Sequence, residues 1–333
     1  MRARALIPVV VVVLVGVAWY GWRHAKRPVD EVGKRAAAQS AELAKLPLQQ
    51  IASETKPAGM KAVKKLTIHN PFGSVEVVGG APAISCEAKT FLPGKTREEA
   101  RKLAVPVEVR SETTPEGEAK IEVVPVKDTP ILDVVIVNLK VTTPAEVAVS
   151  LEVTTGEGKV SGMRGGVEAH GQAGKVTISE CRGPVKVSTT VADLEIKHST
   201  GPIEANTSSG ALFASDVSGV VTARTMNGML NIVVTRSDKV IVGTMSGPID
   251  VKVQAPFSGQ MEVRSKSGDL AVALPSGSNC RVITRTNTGP ITCTLPLSKV
   301  ERAGPNVSGQ LGAGKGYVEI TNDSGAITVK PLK

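Results

Sequence analysis

An all-β fold, a single-stranded β-solenoid or β-helix of stacked short strands preceded by an N-terminal transmembrane helix, is what the sequence predicts. Three observations predict it. Glycine recurs every nine residues through the middle of the chain, at Gly201, Gly210, Gly219 and Gly228. Apolar or small side chains follow each glycine at +2 and +4, as in Ile203 and Ala205, Leu212 and Ala214, Val221 and Ala223, Leu230 and Ile232. Aromatics make up only 2% of the 333 residues while 33 are glycine. Many turns around a thin core of small aliphatic side chains are therefore expected.

The chain opens MRARALIPVVVVVLVGVAWYGWRHAKRP, and residues 1–28 read as a signal anchor. The uncharged run Ala5–Trp22 is 18 residues long, about 27 Å as a helix and enough to cross a bilayer. Trp19, Tyr20 and Trp22 stand where an interfacial belt belongs, with Arg23, Lys26 and Arg27 after them. A cleaved signal peptide with a Gly16/Ala18 site is the rival. An export-type start at Arg2 and Arg4 puts the body outside the cytoplasm, in a periplasm or equivalent space. The positive-inside rule, applied to Arg23, Lys26, Arg27, Lys34 and Arg35, pulls the other way.

Residues 29–60 are Ala-, Gln- and Lys-rich and read as a helical or flexible spacer. From 61 to 150 a strand pattern takes over, with Val75 and Val77 after Gly73 in the phase of the repeats. One short helix interrupts it at KTREEARKLA, where Thr96 and Glu99 form a capping box. Residues 151–333 are the repeat solenoid. Its corner glycines are Gly165, Gly174, Gly183, Gly201, Gly210, Gly219, Gly228, Gly247, Gly268, Gly289 and Gly325, with Ala192 in the same phase.

Alternation after each corner makes every unit a short strand with one buried face. One such strand cannot bury that face alone, but stacked copies can. A slower beat shows in Thr189, Thr207, Thr225, Thr244, Ser265 and Thr286, each three residues before its corner and 18 to 21 apart. Two strands per coil follow, with the hydroxyls stacked as a ladder. That ladder either bonds the turn backbone or offers a regular polar surface to a glycan or protein.

The stretch from Lys61 to Lys333 resembles the bacterial "putative adhesin" family, a domain of unknown function with β-strand repeats. The features that carry the likeness are the opening Val75-Glu76-Val77 strand, the helix TREEARKLA, LKVTTP, the serial T-x-S/N-G-x-[LI]-x-[VI] units and the closing GKGYVEITNDSGAITVK. The resemblance implies an all-β solenoid tied to the cell envelope, without established catalytic residues.

Composition and spacing exclude several functions. Residues 1–65 hold twelve bases against four acids, leaving 28 bases against 27 acids beyond them. The body thus lacks the basic footprint of nucleic-acid binding. Calcium β-rolls need a regular Asp after the corner, whereas Pro202, Ala211, Val220 and Met229 stand there. His24, His69, His170 and His198 are scattered, and Glu195, Glu204 and Asp250 decorate outward strand positions. Of the four cysteines, Cys86, Cys181, Cys280 and Cys293, the last two fall at inward positions where a Cys280–Cys293 disulfide could form in an oxidising compartment. No catalytic, cofactor-binding or metal-binding residues are expected, and no cofactor. The expected partners are the membrane, through the N-terminal helix, and a protein or glycan the sequence does not name. The function expected is a non-enzymatic, membrane-tethered β-solenoid of the cell envelope acting as a scaffold, adhesin-like or sensing/binding module. Alternatives are a polysaccharide-acting β-helix enzyme and a cytoplasm-facing partner-binding domain.

Overall fold

Inward residues at −7, −5 and −3 before a corner and at +2 and +4 after it are Val, Ile, Leu, Ala and Thr almost throughout, and this alternation builds strands. In the computed structural model, residues 39–58, 63–103, 105–126 and 130–332 are described. The expected membrane segment 1–28 and the first part of the spacer lie outside the described residues. Among the described residues no helix is long and apolar enough to cross a membrane.

The body is all β. Each coil contributes two strands, and both stack in parallel on the coil 18 to 21 residues away. Ile203–Ser209 pairs with Val221–Asn227, which pairs with Lys239–Ser246 and then Gln260–Ser267. After the corner, Leu212–Ser218 pairs with Leu230–Arg236, then Ile249–Val253, then Leu270–Leu274. In Val167–Ser179 and Val185–Lys197 the strand runs on through the corner, so the two stacks are joined there. Between the stacks lies one core, to which Ala205, Leu212, Ile232, Val242, Val263 and Leu270 all contribute.

Coil order departs from sequence order at both ends. Near the C-terminus, Gly316–Ser324 lies between Gln260–Ser267 and Cys280–Thr288, parallel to both. Ile327–Pro331 likewise lies between Leu270–Leu274 and Ile291–Cys293. The last coil of the chain is therefore wedged between two earlier ones. The N-terminal end mirrors this. Lys65–Asn70 sits between Glu118–Pro125 and Ala148–Val153, and Val75–Gly79 between Ile136–Thr143 and Glu157–Ser161.

Antiparallel strands close the stack. Val107–Thr113 covers Glu118–Pro125, Ile84–Pro93 covers Ile136–Thr143, and Asn306–Leu311 covers Cys280–Thr288. Outermost strands carry Glu108, Arg110 and Glu112, or Lys299, Glu301 and Arg302, the charged edges that resist further pairing. The spacer expectation is corrected in part. Leu48–Ala58 is a strand antiparallel to Ile84–Pro93, with a register shift between Gln50 and Ala52. Its Gln- and Ala-rich sequence carries little alternation, so the pairing partner decides its conformation. The one helix expected within the body, Arg97–Lys102, starts where the capping box placed it. Thr96 Oγ1 accepts from Glu99 N at 3.2 Å, and the Glu99 carboxylate reaches back to Lys95 N at 3.0 Å.

Candidate functional site

Corner glycines hold the frame on which any site is displayed. Nine of the eleven have positive φ; Gly165 and Gly183 do not. Gly183 is required for another reason: a Cβ there would meet the Arg164 carbonyl oxygen at 2.3 Å. Close approach of the neighbouring coil, rather than backbone handedness, demands glycine at that corner.

The Thr/Ser row is not a surface ladder. Thr189, Thr207, Thr225, Thr244, Ser265 and Thr286 are buried, because position −3 is the first inward position beneath the bend. Most hydroxyls donate to corner carbonyls: Thr189 to Ala192 O at 3.1 Å, Thr244 to Ser246 O at 3.1 Å, Ser265 to Ser267 O at 3.1 Å and Thr286 to Thr288 O at 3.0 Å. Asn322 of the wedged coil takes the rung between Ser265 and Thr286 and donates to Gly268 O at 2.8 Å. Among the hydroxyls of the row Thr225 Oγ1 alone is buried without a hydrogen-bond partner, as is the Oδ1 of Asn322. Opposite outcomes follow for two similar substitutions. Thr225→Val should be neutral or stabilise by up to about 1 kcal/mol, while Thr244→Val should destabilise by about 1 kcal/mol. Urea titration of both variants checks the signs.

None of the four cysteines is joined in a disulfide, so no Cys280–Cys293 bridge is present; Cys280 is buried and Cys293 half-buried. Burial pushes the Cys280 thiol up to about 11, which keeps it protonated and unreactive. The expected outward acids are engaged in short ion pairs or hydrogen bonds. Glu195 lies 2.7 Å from Lys175 and 2.6 Å from Lys197, and these two lysines hold its carboxyl below the usual range. Asp250 pairs with Lys252 at 2.9 Å, and Glu204 accepts from Asn206 at 3.2 Å. The described histidines stay apart: His69 faces Glu122, His170 faces Ser188 and Glu168, and His198 faces Asp216. No group of three His, Cys, Asp or Glu able to hold a metal occurs among the described residues.

What the structure does assemble is an outward face that the periodicity had not singled out. Register places Arg224, Gly243 and Arg264 side by side on three adjacent strands. With a spacing of about 4.8 Å per strand, the two arginine backbones stand about 10 Å apart across the glycine. The gap opens a groove of about 320 Å³ lined also by Ile241, Met245 and Glu262. Thr225↔Thr244 and Asn227↔Ser246 bring Met226 beside Met245, and Met229 flanks the same corner. These three methionines are exposed, by 51%, 47% and 39%, whereas Met163 and Met261 are fully buried. Methionine placed in water rather than in the core is the feature the sequence carried at 226, 229 and 245. It is recognisable only once those positions are known to face outward.

The family model described as Toastrack DUF4097 matches residues 100–330. No curated protein matches the chain. Among solved structures, a "putative adhesin" from Parabacteroides merdae is 8% identical, with 86% of this chain and 96% of that chain covered and a TM-score of 0.34. A "putative cell adhesion protein" from Clostridium sporogenes is 10% identical, with 84% and 99% covered and a TM-score of 0.27. Superpositions this loose carry no argument about what the chain binds.

Proposed function

From the premise that this chain belongs to the Toastrack DUF4097 family, we propose that it is a non-enzymatic, membrane-tethered β-solenoid of the cell envelope, acting as a scaffold and binding module. The observation that carries this is the state of its outward carboxylates. Glu195 and Glu122, paired with lysines, are held below the ordinary carboxylate range. A general acid needs the opposite shift. Glu262 and Glu319 are likewise paired to Arg264 and Arg285. Charge on these faces is engaged in ion pairs, along a strand as in Glu262–Arg264 and across strands as in Glu195–Lys175 and Glu319–Arg285, while the long stack displays a fixed outer surface. The 18-residue uncharged run near the N-terminus supports a single membrane anchor. Its interfacial aromatics on the body side and the short Arg2/Arg4 start support a body on the outer side of the cytoplasmic membrane.

A reporter that is active only outside the cytoplasm, fused after Lys333, tests the placement. Activity, together with protease digestion of the body in intact spheroplasts, is expected. A silent reporter with a protected body would make the domain a cytoplasm-facing one.

A further inference from the structure

Gly243 is in the middle of Lys239–Ser246, a strand paired on both sides. Glycine weakens such a strand and is found there where another backbone or a ligand approaches. Other mid-strand glycines have a packing reason. A Cβ on Gly171 would meet Val176 Cγ2 at 2.7 Å, and one on Gly158 would meet Leu151 Cδ2 at 3.2 Å. On Gly243 it would meet nothing nearer than the Arg264 carbonyl oxygen at 3.7 Å, and its φ is not positive. Nothing within the fold calls for glycine here. What the missing side chain does create is the groove between Arg224 and Arg264.

The groove has a defined chemistry. Arg224 is exposed and makes no ion pair among the described residues. Arg264 is held against Glu262 at 2.5 Å and lies 3.9 Å from Glu319, which fixes its guanidinium at the groove wall. Lys266 is exposed one step further along the same strand. Next to these cations lie Met226 and Met245, flexible thioethers suited to contact with varied apolar side chains. Sugar rings favour flat aromatic platforms, and none lines the groove.

We propose that the Gly243 notch is a docking site for an acidic segment of a partner protein. One carboxylate side chain enters the glycine gap between Arg224 and Arg264, and apolar neighbours of that carboxylate rest on Met226 and Met245. This rests on the proposed role as a binding module and names the partner's chemistry. Charge-assisted bonds from guanidinium to carboxylate supply the orientation, and the methionine edge supplies apolar area without demanding one sequence.

The test uses the full chain in detergent and a fluorescent synthetic peptide alternating Glu and Leu, followed by anisotropy. The wild type should bind it, with affinity falling as salt rises, and should ignore the matched peptide of Gln and Leu. Gly243→Thr fills the gap and suits a strand, so it should weaken binding by about tenfold or more with an unchanged melting temperature. Arg224→Gln should do the same. Polygalacturonate, an anionic glycan, should not displace the peptide. No binding by the wild type, undiminished binding by Gly243→Thr, or displacement by polygalacturonate each overturns the proposal. Such a failure leaves the envelope reading standing, since that is decided by where the body lies and not by this peptide.

Discussion

Gly219→Val is expected to destabilise the protein by about 3 kcal/mol or more. Two effects add. Gly219 has φ +107, a conformation a β-branched residue occupies only under strain. A Cβ there would also stand 2.4 Å from the Gly201 carbonyl oxygen of the preceding coil, and that atom is backbone that cannot step aside without moving its own corner. Gly219 N meanwhile donates to Arg236 O at 3.0 Å, so the corner is bound to its neighbours on both sides. Denaturant unfolding should show the loss as a lower midpoint. Gly243→Val, in extended strand with free space at its Cβ, is the matched control and should stay within about 0.5 kcal/mol of wild type. Equal midpoints for the two variants would mean that the corners are not under this constraint.

Ile320→Asp should have a comparably large effect, and its pattern reports coil order. Ile320 is fully buried and lies between Val263 and Thr284 on its two neighbours. An aspartate there has no partner, and burying it should cost more than about 4 kcal/mol locally. The wedged coil would be expelled. Glu319, which bridges Arg264 and Arg285, would leave with it. Amide hydrogen exchange should then show protection lost on both walls of the slot, Gln260–Ser267 and Cys280–Thr288, while Val221–Asn227 keeps its own. In a stack that followed sequence order the final coil would be terminal. Only one neighbouring strand would then lose protection.

That second case shows where the sequence stops being legible. Nine-residue spacing and +2/+4 alternation were enough to predict strands and corners, and the 18-to-21-residue beat of Thr and Ser predicted two strands per coil, because each repeats along the chain itself. Coil order is not local. Ser265, Asn322 and Thr286 stand on successive rungs of the same row, so the pattern reads equally well with the last coil outside or wedged between. Asn322 breaks the Thr/Ser rule, and only the geometry shows it reaching the Gly268 carbonyl in their place. The hydroxyl row itself was legible as a row but not as buried, since the direction of a side chain three residues before a bend depends on how the bend turns. The strand Leu48–Ala58 was hidden for a related reason: its partner Ile84–Pro93 defines it. The candidate binding face combines both difficulties. Arg224, Gly243 and Arg264 are about 20 residues apart and become neighbours only through the coil register.

The claim on which the functional account turns is that this solenoid is displayed outside the cytoplasmic membrane. Ala313→Cys places a thiol on an exposed loop, whereas Cys86, Cys181 and Cys280 are buried and Cys293 is half-buried. The most direct measurement is reaction of this variant, in intact spheroplasts, with a maleimide that cannot cross membranes. Labelling of Ala313→Cys before lysis, well above the wild-type background, is the predicted result. Labelling that appears only after the membrane is broken would contradict the account.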